Sequence, residues 1–181
     1  KENLLILGAS GVGKTTFLHL LSGLLKPMDG EIDLLGTKIS RFKMSEMDRF
    51  RGKNIGIVFQ KPHFINSLTV KENLQLAQYI SKKSDKNRVQ SLLESLGIED
   101  KANKKTQNLS QGEKQRVSIA LAIVNSPKLI LADEPTSSLD DLNCDKVINI
   151  LKNQASKYKA KLIIITHDYR LKKHFKNTLS L

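Results

Sequence analysis

The amino-acid sequence predicts an α/β protein with a mainly parallel sheet and an inserted helical subdomain. Short apolar runs alternate with amphipathic helical patterns, as in units whose parallel strands are joined by helices. Between residues 62 and 126, helix signals occur without a convincing strand. We therefore expect one domain over residues 1–181, with an α/β core lobe formed by residues 1–61 and 127–181 and a helical lobe formed by residues 62–126.

The individual elements follow from local patterns. Leucine- and isoleucine-rich runs predict the strands, at residues 3–7, 31–35, 54–59, 129–133 and 161–166. Apolar residues at helical spacing predict the helices, at residues 14–25, 45–51, 70–80, 85–96, 110–124 and 141–157. Gly97 is expected to stop the helix that precedes it.

The composition is that of one globular domain. The 181 residues are 39% hydrophobic and 27% charged, which excludes a disordered or fibrous protein. The apolar runs are too short to cross a bilayer. Because Cys144 is the single cysteine, a disulfide framework and an all-cysteine zinc site are excluded. We expect a reduced, soluble domain.

The net charge of +12 is compatible with nucleic acid, an anionic membrane or a polyanionic ligand such as a nucleotide. Lysine supplies most of the positive charge, and tryptophan is absent. Base readout favours arginine, and stacking on single strands favours aromatic residues. We therefore expect no specific binding of nucleic acid and interpret most lysines as solvated surface.

A glycine-rich loop, GASGVGKT at residues 8–15, fits G-x-x-x-x-G-K-[ST] between a predicted strand and a predicted helix. Its glycines let successive backbone N–H groups turn towards a phosphate, and the helix N-terminus adds a positive dipole. Lys14 is expected to reach the β- and γ-phosphates, and the Thr15 hydroxyl to ligate Mg²⁺. The predicted phosphate-binding residues are Gly8, Ser10, Gly11, Val12, Gly13, Lys14, Thr15 and Thr16.

Two carboxylates, Asp133 and Glu134, end the apolar strand predicted at residues 129–133. In a parallel sheet this strand end opens beside the glycine-rich loop, in the crevice where ligands bind. Asp133 is expected to hold Mg²⁺ through water, and Glu134 to orient and deprotonate an attacking water. An isolated acidic pair more often ends a strand at solvent, so the catalytic interpretation depends on the loop.

Ser110 and Glu113 have the spacing of a capping box at the start of a predicted helix. Capping alone explains these residue types. The same helix start can also bind an anion, because its N–H groups and the N-terminal end of the helix dipole are positive. Both interpretations stay open.

Taken in order, these motifs resemble those of ATP-binding-cassette (ABC) ATPase domains, which have a P-loop NTPase core. The matching elements are residues 8–15 (Walker A), Gln60 (Q-loop), residues 109–113 (signature), residues 129–134 (Walker B), residues 137–140 (D-loop) and His167 (switch). Residues 40–60 further resemble the lipoprotein-releasing, macrolide-export and cell-division branch of this family.

The resemblance implies an ATPase that uses ATP and Mg²⁺ to drive a permease. Two copies, or this cassette and a paired one, would bind each ATP between one Walker A loop and the other's signature. Ser110 and Gly112 would contact the γ-phosphate held by the partner, and Asp140 would communicate across the dimer. Gln60 would sense Mg²⁺ and the attacking water, and His167 would hold the γ-phosphate. The implied catalytic residues are Lys14, Gln60, Glu134 and His167, and the implied metal ligands are Thr15, Gln60 and Asp133.

The resemblance also implies a peripheral subunit at the cytoplasmic face of the inner or plasma membrane. The segment from Lys61 to Thr69, including Phe64, would help to receive a short cytoplasmic helix of the permease, unless it is a linker that packs on its own core. Two other functions stay open. One is a soluble ABC ATPase acting on nucleic acid or ribosomes, and the other is a regulatory ATP binder that hydrolyses poorly.

Several departures from the family pattern modify these expectations. Gln111 replaces a signature glycine, so the site is strained if that position needs a positive φ, and otherwise its backbone N–H still serves. Glu113 replaces the usual glutamine, and Val12 a small polar residue. Only seven residues precede Gly8, so we expect an N-terminally short domain, trimmed or incomplete, without the aromatic residue that stacks on adenine.

Overall fold

The computed structural model of the protein describes residues 3–137 and 139–181. Its strands are β1 (Leu4–Leu7), β2 (Asp33–Leu34), β3 (Thr37–Lys38), β4 (Ile55–Val58), β5 (Leu129–Asp133), β6 (Lys161–Thr166) and β7 (Asn177–Ser180). Its α-helices are α1 (Lys14–Leu21), α2 (Met44–Asn54), α3 (Val70–Ile80), α4 (Lys86–Ser95), α5 (Gln111–Ile123) and α6 (Asp141–Lys157). Short 3₁₀ helices lie at Ile39–Arg41, Glu99–Lys101, Thr106–Asn108 and Tyr169–His174.

Five strands form a parallel sheet in the order β4-β5-β6-β1-β7, which confirms the predicted fold class. In its register, Leu7 lies opposite Thr166, and Asp133 lies opposite Ile165. The carboxyl ends of β1, β5 and β6 therefore meet at one edge of the sheet. The residues that leave these strands are those of the glycine-rich loop, Glu134 and His167.

Both faces of this sheet are buried, because both alternating sets of strand residues are apolar. Leu5 and Ile164 belong to a cluster on one face, to which α3, α4, α5 and α6 contribute. Ile6 and Ile165 belong to a cluster on the other face, to which α1 and α2 contribute through residues such as Leu18. The two helical layers hold the carboxyl edge of the sheet in place.

The predicted bounds of α3, β5, α6 and β6 are confirmed, and the other predicted helices differ from the observed ones by a few residues. The strand predicted at residues 31–35 is reduced to β2, because the chain turns at Leu35 and Gly36, with φ of 56° and 76°, and returns as the antiparallel β3. Strand β7 was missed because most of its residues are polar and exposed, and it forms by pairing with β1.

Residues 62–126, all of them described, form α3, α4 and α5 and contain no strand. Thr69 with Glu72 and Ser110 with Glu113 form the capping boxes of α3 and α5, which explains where these helices begin. The lobe boundaries, between residues 61 and 62 and between residues 126 and 127, stay a prediction. Along the described residues, no helix combines the length and the apolar character needed to cross a bilayer.

The packing of β4 on α5 depends on Gly56. A Cβ at this position would lie 2.0 Å from the carbonyl oxygen of Ala122, which belongs to the backbone of α5 and cannot move aside alone. We expect Gly56→Ala to lower the free energy of unfolding by at least about 2 kcal/mol in urea titrations.

Gly52→Ala is the matched control for Gly56→Ala. A Cβ at Gly52, within α2, would meet only the Ser81 hydroxyl, at 3.2 Å. Its stability should stay within about 1 kcal/mol of wild type, because alanine is the better helix former. Equal effects of the two substitutions would contradict the proposed role of Gly56 in packing.

Candidate functional site

The conformation of the glycine-rich loop between β1 and α1 depends on Gly11 and Gly13. Their φ angles are 87° and 93°, a region that residues with a Cβ rarely adopt. Gly13 is the N-cap of α1, and no side chain caps the helix there. The first N–H groups of α1 are therefore available to an anion.

Lys14 lies inside this loop with its side chain almost fully buried. Its Nζ donates to the carbonyl oxygens of Gly8 and Ala9, both at 2.8 Å. The same Nζ is 3.6 Å from Glu134 Oε1. The ammonium group is thus fixed between the loop and the end of β5, where it can neutralise an anion that the loop binds.

Thr15 and Asp133 form a pair of oxygen donors beside the loop. The Thr15 hydroxyl donates to Asp133 Oδ2 at 3.0 Å, whereas Asp133 Oδ1 is buried and has no hydrogen-bond partner in the described part of the chain. Burial raises the pKa of Asp133 above its ordinary value, against the opposing effect of the Thr15 hydrogen bond. A buried, unsatisfied carboxylate oxygen next to a hydroxyl fits a hard divalent cation such as Mg²⁺.

Glu134 is held by the residues that end β6. Its Oε1 is 2.9 Å from His167 Nδ1 and accepts the His167 N–H at 3.1 Å, and its Oε2 accepts the Thr166 hydroxyl at 2.7 Å. Burial raises the pKa of Glu134, but the hydrogen bonds from His167 and Thr166 outweigh it, so the pKa falls below its ordinary value. The carboxylate is therefore ionised at neutral pH and can accept a proton.

The backbone of Glu134 is strained. Its φ is 47°, in the left-handed region, which costs a non-glycine residue on the order of 1 kcal/mol. The Glu134 N–H donates to the Ile165 carbonyl at 2.8 Å, and the side chain is fixed at its far end. Strain of this kind is typical of residues whose orientation is needed for function.

Thr166 is a site residue that sequence reasoning missed. It is fully buried, it donates to Glu134, and its hydroxyl accepts the Asp168 N–H at 2.9 Å. A hydroxyl at the end of the otherwise apolar run of β6, directly before His167, is the signal that could have identified it.

A cleft of about 320 Å³ brings most of the predicted site together. The residues that line it are Ser10, Gly11, Gly13, Lys14, Thr15, Thr16, Gln60, Glu134 and His167. Gly8 and Asp133 do not line the cleft, but each contacts a residue that does: the Gly8 carbonyl accepts from Lys14, and Asp133 accepts from Thr15. Val12 does not line the cleft and its side chain is half exposed, so its contact with phosphate stays a prediction.

Ser110, Gly112 and Asp140 likewise do not line this cleft. Ser110 is the N-cap of α5, so the capping interpretation is confirmed, and Gln111 begins the helix without a positive φ. No strain arises at Gln111, and its backbone N–H is available.

Asp140 is the N-cap of α6, where its Oδ1 accepts the Asn143 N–H at 2.9 Å. Within the predicted D-loop, Ser138 lies outside the described residues.

Asp168, next to the switch histidine, accepts the Thr136 hydroxyl at 3.1 Å and pairs with Arg170. Arg170 also donates to the Leu139 carbonyl at 3.3 Å, so it connects the switch to the D-loop.

A second cleft lies between the start of α5 and the loop after β5, and it is lined by residues that include Gln60, Gln111, Gln115 and Glu134. Gln115 Nε2 donates to the Pro135 carbonyl at 3.0 Å. The signature helix is therefore connected, within one chain, to the loop that carries Glu134.

Comparisons with known proteins show what this chain is similar to. A sequence model of the family described as "ABC transporter" matches residues 1–137. The lipoprotein-releasing system ATP-binding protein LolD of Buchnera aphidicola is 40% identical over 166 residues, which cover 90% of this chain and 73% of that protein. LolD of Bacteroides fragilis is 37% identical over 97% of this chain and 83% of its own length.

Solved structures show the same architecture. The dimeric ATP-binding cassette MJ0796, in a post-hydrolysis state bound to ADP and Pi, superimposes with a TM-score of 0.90 at 32% identity, over 99% of this chain and 81% of that one. The structure of cbiO1 from Clostridium perfringens, part of the transporter complex cbiONQ, gives a TM-score of 0.86 at 31% identity, over 99% and 72%.

Proposed function

The chain belongs to the ABC transporter family, as an ATP-binding subunit whose hydrolysis of ATP is coupled to transport, and from this premise we propose that it drives a lipoprotein-releasing permease. The observation that supports the ATPase activity is that Lys14, Glu134 and His167 line one cleft. The assignment of a lipoprotein-releasing permease rests on relatives named LolD, which are 36–40% identical over 90–99% of this chain. Neither a nucleic-acid ATPase nor a regulatory ATP binder is favoured by these relatives.

The glycine-rich loop is proposed to bind the phosphates of ATP. The N–H groups at the start of α1 and the Lys14 ammonium group supply positive charge on two sides of the cleft. Phosphoryl transfer needs little covalent chemistry from the protein, so positioning and charge neutralisation account for most of the rate enhancement. Ser10 and Thr16 line the same cleft and are proposed to add polar contacts.

Glu134 is proposed to accept the proton of the attacking water. Its ionised carboxylate faces the cleft in which Gln60 and His167 also lie. Gln60 is proposed to orient the water, and His167 to hold the γ-phosphate. Thr166 then acts as a positioning residue, because its hydroxyl fixes the second oxygen of Glu134.

Mg²⁺ is proposed to be held by Thr15 and Asp133, with Gln60 as a further ligand. The unsatisfied Oδ1 of Asp133 supports this assignment. When bound, Mg²⁺ neutralises charge on the phosphate oxygens.

Ser110 and Gly112 are proposed to act on the ATP of a second cassette. They lie at the exposed start of α5, outside the cleft of their own chain. A helix N-terminus of this kind is a seat for an anion, and MJ0796, a structural relative, is a dimer. Asp140 is proposed to contribute to the same interface. Each catalytic site is then completed only when two cassettes close on each other.

The permease is proposed to dock in a groove of about 510 Å³ that β4, α2, α3 and α5 line. His63, from the predicted segment Lys61 to Thr69, lines this groove, whereas Phe64 is half-buried and packs on the core. The half-buried position of Phe64 therefore favours the alternative that this segment is a linker. Ile80, which is 72% exposed and lines the groove, is the better residue to substitute in a test of docking. This docking would place the chain at the cytoplasmic face of the membrane as a peripheral subunit.

Ile80→Asp is expected to abolish stimulation of ATP hydrolysis by the permease while basal hydrolysis stays unchanged. A charge in an apolar contact opposes docking, but Ile80 is remote from the phosphate loop. The measurement is ATPase activity with and without the co-purified permease in detergent. Met28→Asp is the control, because Met28 is fully exposed outside the groove. Loss of stimulation in both variants, or in neither, would contradict docking at this groove.

The substrate class is tested in proteoliposomes that contain this chain and its permease. A lipid-modified protein placed in the bilayer should be released on addition of ATP, and the same protein without its acyl chains should not. ATP-dependent export of a small amphiphile without any release of the acylated protein would show that the lipoprotein assignment is wrong.

A further inference from the structure

The signature helix α5 carries a negative charge at the end that is proposed to receive the partner's γ-phosphate. Glu113 Oε2 accepts the Ser110 N–H at 2.7 Å, and Ser110 Oγ accepts the Glu113 N–H at 3.3 Å. This box satisfies the N–H groups of Ser110 and Glu113 at the start of the helix. The carboxylate nevertheless opposes the binding of another anion at the same place.

Lys101 lies against this carboxylate. Its Nζ is 3.3 Å from Glu113 Oε1, and the two side chains are only 22% and 18% exposed. The lysine also contacts Asp100, at 2.6 Å, which lies at the surface. Lys101 ends the 3₁₀ helix Glu99–Lys101, outside the signature motif, and the fold alone brings it to α5.

Lys101 contacts Oε1 of Glu113, whereas the capping box uses Oε2. Hydrogen bonds from Ser110, and then the contact with Lys101, lower the pKa of Glu113 to about 2. The carboxylate is therefore charged at every pH at which the protein works. Its charge can be compensated only by a neighbouring cation.

We propose that Lys101 is a positioning residue for ATP-dependent dimerisation, because it offsets part of the charge of Glu113 and holds its carboxylate against the N-cap of α5. This inference rests on the proposed function of Ser110 and Gly112. In this chain a glutamate replaces the glutamine usual in the signature, and Lys101 makes that replacement compatible with a nearby γ-phosphate.

The test measures dimerisation by sedimentation in Mg-ATP, in the Glu134→Gln background, where hydrolysis is blocked. A partly exposed ion pair contributes about two- to fivefold per site, and a dimer contains two sites, so Lys101→Met should weaken dimerisation by about 4- to 25-fold. Adding Glu113→Gln, which keeps the capping box but removes the charge, should restore it to within about twofold. Lys101→Arg should retain the wild-type affinity.

Lys104→Met is the control, since Lys104 lies on the same loop and its ammonium group makes no ion pair with the described residues. Binding of ATP to the monomer should be equal in all variants, because the lysine acts on the opposite cassette. If Lys101→Met leaves the affinity of dimerisation unchanged, or if Glu113→Gln does not restore it, this inference is wrong but the proposed function stands. If the Glu134→Gln protein itself forms no ATP-dependent dimer, the proposed function fails, and the inference fails with it.

Discussion

Glu134→Gln is expected to reduce steady-state ATP hydrolysis by at least about 100-fold, because an amide cannot accept the proton of the attacking water. The substitution keeps the shape of the side chain and one oxygen, which at the position of Oε2 can accept from the Thr166 hydroxyl and the His167 N–H. The fold and the affinity for ATP should therefore be retained. Since hydrolysis is the step that ends the closed state, we expect a stable ATP-bound dimer, measured by size-exclusion chromatography.

Glu94→Gln is the control for this substitution. Glu94 is exposed on α4, outside the cleft, and its carboxylate accepts only from Gln90 in the described structure. Its ATPase rate should equal that of wild type. If the Glu134→Gln protein released phosphate at the wild-type rate with an unchanged melting temperature, Glu134 would not be the general base.

The parts of the site that sequence predicts are those whose position follows from strand order. Gly8, Glu134 and His167 each follow a strand that is recognisable as an apolar run, and parallel pairing brings the three strand ends to one edge. The convergence of the glycine-rich loop, Glu134 and His167 on one cleft requires only that β5, β6 and β1 be consecutive in the sheet. The capping residues Ser110 and Asp140 are equally local, since each contacts a residue three positions later.

The contacts that sequence does not predict are those made by tertiary packing. Lys101 contacts Glu113 because the 3₁₀ helix Glu99–Lys101 packs near the start of α5. Arg170 donates to the carbonyl of Leu139, which lies 31 positions earlier in the chain. Neither residue belongs to a motif, and each would be interpreted as part of the lysine- and arginine-rich surface. Strand β7 was missed for a related reason, because its pairing with β1 rather than its own hydrophobicity makes it a strand.

Lys14→Ala is expected to weaken the binding of ATP by about 10- to 100-fold, since a charge-assisted hydrogen bond contributes about 1.5–3 kcal/mol. The buried ammonium group belongs to the one lysine among the residues that line the cleft, and no arginine lines it. The backbone N–H groups at the start of α1 remain, so binding is reduced rather than abolished. The measurement is titration with a fluorescent ATP analogue.

The effect of Lys14→Ala on folding must be separated from its effect on binding, because Lys14 also donates to the carbonyl groups of Gly8 and Ala9. Lys14→Met keeps the buried aliphatic part of the side chain and should weaken binding to a similar extent at a melting temperature closer to wild type. Lys146→Ala, which removes an exposed lysine on α6, should bind ATP normally. Unchanged affinity in both Lys14 variants would refute the assignment of residues 8–15 as the phosphate loop, because that assignment requires the buried ammonium group to contact the phosphates.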